Sequence, residues 1–149
     1  MPRNVRKETR RLDQGYDDII ETAKPEIKAV DLGMRRPWRI ALLVQATGTE
    51  MIFDVTGPMI VGRAYPDSGF FPDIDLGAFN AGELGVSREH LTIKLDGERV
   101  VVEDNKSANG TQLNGEWLKP HQAYPIRNGD ELTLGLLKLT FELLTNPYS

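Results

Sequence analysis

Lys138-Leu139-Thr140-Phe141-Glu142-Leu143 alternates polar and apolar side chains at every step. A period of two is the mark of a half-buried strand, here with Leu139, Phe141 and Leu143 on the face turned inward. Working outward, residues 90–96 repeat the pattern, with Leu91, Ile93 and Leu95 opposite Thr92 and Lys94. Further strands are expected at 39–46, 50–55, 59–64, 99–103 and 131–134. Turn chemistry separates them: Thr47-Gly48, Thr56-Gly57-Pro58, Asp96-Gly97, Asn114-Gly115 and Asn128-Gly129-Asp130. No helical period of useful length interrupts this stretch. Many short strands at regular spacing predict an all-β, antiparallel sandwich or barrel.

The pattern begins at Trp38 and sets the expected organisation: a flexible, charged leader over 1–37 and one β domain over 38–149. The leader holds nine basic and seven acidic residues, net +2, and the remainder is net −6. Few large apolar residues are available to anchor the leader, although Ile19, Ile20 and Ala23 allow a short amphipathic helix over 17–23 that Pro25 would end. Met1 to Arg11 carry five basic side chains and no apolar run, so a secretory signal is not expected. The apolar stretch at 40–44 is far shorter than the roughly 20 residues a bilayer requires. The expectation is a cytoplasmic protein with no membrane partner.

Composition removes several chemistries. A net charge of −4 and a pI near 5.2 argue against nucleic acid, which calls for clustered excess Lys and Arg. With no cysteine in 149 residues, disulfide scaffolds, thiolate metal sites and cysteine nucleophiles are excluded. His90 and His121 are the two imidazoles, too few for a histidine metal site. Asp73 and Asp75 have the spacing of half a calcium loop, but the rest of that pattern is missing. No phosphate-cradling Gly-rich loop precedes a helix. No metal or cofactor is expected.

Three polar clusters fall at the ends of expected strands: Gly62-Arg63, then Ser87-Arg88-Glu89-His90, then Ser107-Ala108-Asn109-Gly110-Thr111 with Asn114-Gly115 after it. A sandwich gathers its loops at two ends, so clusters far apart in the chain can form one site. Between the first two lies 65–85, rich in Gly, Pro and aromatic residues including Tyr65, Phe70, Phe71 and Phe79. It is expected to be an irregular loop that shapes a binding rim. Ser87 and His90 suggest a hydrolase only superficially. A nucleophilic serine needs a base and an orienting acid, and no Gly-x-Ser-x-Gly elbow is present. No enzymatic activity is expected.

Gly-Arg, Ser-x-x-His, Asn-Gly-Thr and Asn-Gly, in that order on an all-β background, resemble the forkhead-associated (FHA) domain. The resemblance covers about 38–144, essentially the whole β region. It implies a sandwich of about eleven strands that binds phosphothreonine peptides through loops at one end, as a non-catalytic module downstream of a Ser/Thr kinase. It further implies that Arg63 and Ser87 contact the phosphate, with Arg88 alongside, and that Asn109 holds the peptide main chain. Gly62, His90, Ser107, Gly110, Thr111 and Asn114 would support the site, His90 by bracing the loop that presents Ser87. Many members carry Thr where this chain has Ala108; loss of that hydroxyl is expected to lower affinity, although a main-chain amide remains there for the phosphate. Two alternatives stand beside this reading. One is an autoinhibited switch that binds its own leader, phosphorylated at Thr9 or Thr22. The other is a scaffold that binds proteins without phosphate.

Overall fold

The alternating stretches become strands because each can turn its apolar set onto one shared core while its polar set stays in water. The computed structural model describes residues 37–148. The leader, its expected helix at 17–23, Thr9 and Thr22 lie outside the described residues. Eleven strands follow in chain order: β1 (Trp38–Val44), β2 (Thr49–Val55), β3 (Met59–Gly62), β4 (Ile74–Asp75), β5 (Glu89–Asp96) and β6 (Arg99–Asp104), then β7 (Thr111–Leu113), β8 (Glu116–Trp117), β9 (Tyr124–Pro125), β10 (Glu131–Leu134) and β11 (Leu137–Thr145). They form a six-stranded sheet, β2-β1-β11-β10-β7-β8, and a five-stranded sheet, β4-β3-β5-β6-β9. The expected all-β sandwich is what the chain adopts.

Leu139 and Phe141 face inward from β11, paired with Val44 and Leu42 of β1. They meet Leu91 and Ile93 of β5 and Val100 and Val102 of β6 in one buried cluster. All pairings are antiparallel except β3 with β4, where Val61 lies beside Ile74 and Gly62 beside Asp75.

That parallel pair adds a short strand to the otherwise irregular segment 65–85. The segment contains β4 and two short 3-10 turns, Pro66–Ser68 and Gly77–Phe79. Asp73 and Asp75 hold it in place rather than forming part of a cation loop. Asp73 accepts the Ile60 amide at 2.7 Å. Asp75 accepts the amides of Ala64 at 3.1 Å and Gly77 at 2.9 Å. Among the described residues no group of three acidic or histidine side chains is placed to hold a metal ion. No helix there is long and apolar enough to cross a membrane.

Phe141 is fully buried where the two sheets meet. Phe141→Ala is expected to destabilise the fold by about 3–5 kcal/mol, the usual range for deleting a core ring. Urea unfolding measures this as a lowered midpoint; an unchanged midpoint would contradict the shared core.

Candidate functional site

Gly62 ends β3 at a point where the pairing with β5 shifts register. A Cβ on Gly62 would lie 1.9 Å from the carbonyl oxygen of Arg88, so only glycine lets these two stretches approach so closely. The next amide, Arg63 N–H, donates to that same carbonyl at 3.3 Å. The Arg63 side chain then turns toward the second cluster, and its Nε donates to the Val86 carbonyl at 2.6 Å. One edge of the guanidinium is thereby fixed beside Ser87, while its two terminal nitrogens keep donors for a ligand.

Ser87 is held at both ends. Its amide donates to His90 Nδ1 at 2.9 Å. Its Oγ accepts the Ala108 amide at 3.0 Å, which leaves the hydroxyl proton to donate outward. The Ala108 amide expected to serve a phosphate is thus engaged with Ser87 instead. The sequence could not reveal this, because the bond joins residues 21 apart in the chain.

His90 is fully buried. Because Nδ1 accepts from Ser87, the ring proton belongs on Nε2, which donates to the Gly110 carbonyl at 3.0 Å. Burial pushes the imidazole below its ordinary pKa, against the opposing pull of the Gly110 carbonyl and of Asp104. Asp104, buried at the end of β6, shapes the following loop. It accepts the Ser107 amide at 3.1 Å, Ser107 Oγ at 2.5 Å and Thr111 Oγ1 at 2.7 Å. Burial alone would raise the Asp104 carboxyl; these donated hydrogen bonds outweigh it and hold the pKa below the ordinary aspartate value.

Asn109 projects from this braced loop, and its Nδ2 donates to the Gly85 carbonyl at 3.0 Å. Adjacent carbonyls, those of Gly85 and Val86, therefore anchor Asn109 and Arg63, so the three sequence clusters converge. Gly110 has φ +81°, and a Cβ there would strike the Trp117 ring at 2.7 Å, so the indole packs closely against Gly110. The β10–β11 turn closes the same region: the Gly135 amide donates to the Gly110 carbonyl, and the Leu136 amide to the Leu84 carbonyl. Between Leu84, Asn109, Trp117 and Leu136 lies an open hollow of about 500 Å³. Trp117 and Leu136 are 64% and 73% exposed.

Two expected site residues are placed less simply. The Arg88 guanidinium lies over the Tyr65 ring, its carbon 3.4 Å from the ring centre. Asn114 sits at the far end of β7 from Asn109, bonded to Asp130 and to the Glu131 amide. It sets the β7–β8 turn and touches none of the clustered groups. Tyr65 falls within the aromatic rim expected at 65–85, whereas Trp117 and Leu136 are not singled out by the sequence. Their only signal there is an aromatic or apolar residue beside turn glycines.

The buried imidazole makes stability depend on pH. The unfolded chain takes up this proton near pH 6.5, whereas the folded site resists it. Stability is therefore complete above about 6.5 and declines as pH falls from there toward the depressed folded pKa. The urea midpoint is expected to drop between pH 7.5 and 5.5, with the protonation of His90 followed by NMR. A flat profile over that interval would contradict the neutral, buried imidazole.

Comparison with known proteins agrees with this architecture. The FHA domain profile matches residues 59–135. The protein FraH of a Nostoc species is 39% identical over 76 residues, which is 51% of this chain and 26% of that protein. The glycogen accumulation regulator GarA of Mycolicibacterium smegmatis is 36% identical over 102 residues, 68% of this chain and 54% of the relative. The chain thus spans about a quarter and about half of these two proteins. A solved structure described for phosphothreonine-dependent FHA domain interactions superposes with a TM-score of 0.55 at 27% identity, covering 72% of this chain and 98% of that one. With the profile match extending over more than half its length, the chain belongs to the FHA domain family.

Proposed function

We propose that this domain is a non-catalytic interaction module that reads phosphothreonine in partners phosphorylated by a Ser/Thr kinase. The observation that carries the reading is the Arg63 guanidinium, tethered through Nε to the carbonyl next to Ser87 with its remaining donors available. A phosphothreonine brings about −1.5 to −2 charges and three strong acceptors. The Arg63 fork, the Ser87 hydroxyl and Arg88 match that demand for cations and fixed donors. Two or three charge-assisted bonds, each contributing about 1.5–3 kcal/mol, together with main-chain bonds reach roughly −8 kcal/mol, a micromolar complex. Asn109, oriented by its bond to the Gly85 carbonyl, would bond the peptide main chain.

The arrangement supports binding rather than hydrolysis. His90 directs Nδ1 to the Ser87 amide, not to its hydroxyl, and its other nitrogen is bonded to Gly110. A serine nucleophile needs a base within reach of its oxygen. A ligand made by an ATP-dependent kinase is consistent with a cytoplasmic location. The hollow walled by Leu84, Trp117 and Leu136 suits an apolar side chain of the same peptide, a few residues from the phosphate.

A degenerate phosphothreonine library followed by calorimetry tests the reading. Wild type is expected to bind only phosphorylated peptides, and Arg63→Ala to weaken binding by about 2–5 kcal/mol. Affinity should fall as pH drops through about 6, where the phosphate takes up its second proton. Equal binding by Arg63→Ala, or binding that ignores the phosphate, would refute the proposal. Within the selected peptides, one flanking position should favour Leu or Ile over Asp. Trp117→Ala should flatten that preference and lower affinity about thirtyfold, the threshold of an interface hot spot.

A further inference from the structure

Tyr65 lies two residues beyond Arg63 and is fixed before any ligand arrives. Its amide donates to the Phe70 carbonyl at 2.9 Å, and its own carbonyl accepts the amides of Phe70 and Ser68 at 3.2 and 3.1 Å. Ser68 Oγ bonds that carbonyl as well, at 3.1 Å. The Pro66–Ser68 turn and Gly69, left-handed at φ 76°, close this small loop. The ring is therefore presented from a rigid frame, and the Arg88 guanidinium rests on its face at 3.4 Å. Arg88 is tied through its main chain too, because its carbonyl accepts the Arg63 amide.

A guanidinium stacked on an aromatic face keeps its five N–H donors in the plane of the fork, where the ring does not compete for them. Long arginine side chains otherwise lose rotamer freedom on binding, and a residue that removes this freedom beforehand strengthens the complex without touching the ligand. Resting on the phosphopeptide reading above, we infer that Tyr65 is a positioning residue of the anion site: it holds Arg88 as a second, preset guanidinium beside Arg63. The role belongs to the ring face rather than the phenol oxygen. Phenylalanine should therefore replace it and leucine should not.

Calorimetry with the best library peptide, and with its unphosphorylated twin, provides the test. Tyr65→Leu is expected to weaken phosphopeptide binding about three- to tenfold, the size of a cation–π contact. Tyr65→Phe should stay within about twofold of wild type. In an Arg88→Gln background Tyr65→Leu should cause no further loss, which a merely structural role for the ring would not predict. In the ligand-free protein, the Arg88 Nε–Hε NMR signal should carry a ring-current shift that Tyr65→Leu removes and Tyr65→Phe keeps. Thermal melting confirms that each variant is folded. Tyr65→Leu binding like wild type, additive losses in the double variant, or an Arg88 signal unmoved by Tyr65→Leu would each overturn the inference. Failure of wild type to bind any phosphopeptide would instead overturn the proposed function. The Arg88 signal and a titration with inorganic phosphate would then still decide whether Tyr65 sets Arg88.

Discussion

The imidazole of His90 joins the loop at Ser87 to that at Gly110, 20 residues beyond the ring, and the arrangement of the site depends on it. Burying an imidazole removes it from water, a cost that only good partners offset. Both partners here are main-chain groups, an amide on one side and a carbonyl on the other. Because they are backbone atoms, the ring fixes chain paths rather than side-chain rotamers. Ser87 is set from below by the ring and from the side by the Ala108 amide, so its position follows from two loops at once. Asp104 does for residues 107–111 what His90 does between loops, gathering two hydroxyls and an amide on one carboxylate.

Around this scaffold, glycine is required where main chains must nearly touch. Gly62 admits the Arg88 carbonyl, and Gly110 admits the Trp117 indole. The result is a surface that brings together the Arg63 guanidinium, the Ser87 hydroxyl and the Asn109 carboxamide, with an apolar hollow beside Asn109. Each is already held by bonds within the protein. Such preorganisation is how a modest set of contacts reaches useful affinity, since little freedom remains to be lost when a ligand arrives.

Much of this was legible in the residues alone. The alternation at 90–96 and 138–143 marks β5 and β11 because a sheet with one wet face forces a period of two. The Gly-Arg, Ser-x-x-His and Asn-Gly-Thr clusters mark the site because loops of a sandwich must collect at its ends. β4, β7, β8 and β9 were not legible: two or three residues are too few to display a period, and these strands form only because neighbours offer free edges. The segment 65–85 reads as irregular because Asp73 and Asp75 fix it through the amides of Ile60, Ala64 and Gly77, contacts that leave no period in the sequence. The stacking of Arg88 on Tyr65 and the use of the Ala108 amide by Ser87 were equally hidden. Both are distances between residues far apart in sequence, and neither leaves a trace in local spacing.

The pairing of β1 with β11, Leu42 opposite Phe141, has a consequence for biosynthesis. The strand made first in the larger sheet pairs with the strand made last, so that sheet cannot close until β11 has emerged from the ribosome. Translation adds about 5–20 residues per second, which leaves β1 waiting several seconds for its neighbour. The β10–β11 turn, which ties the loops at Leu84 and Gly110 together, is assembled in the same final step. A half-made sandwich thus lacks the turn that joins these loops, and their arrangement is complete only once β11 has been made.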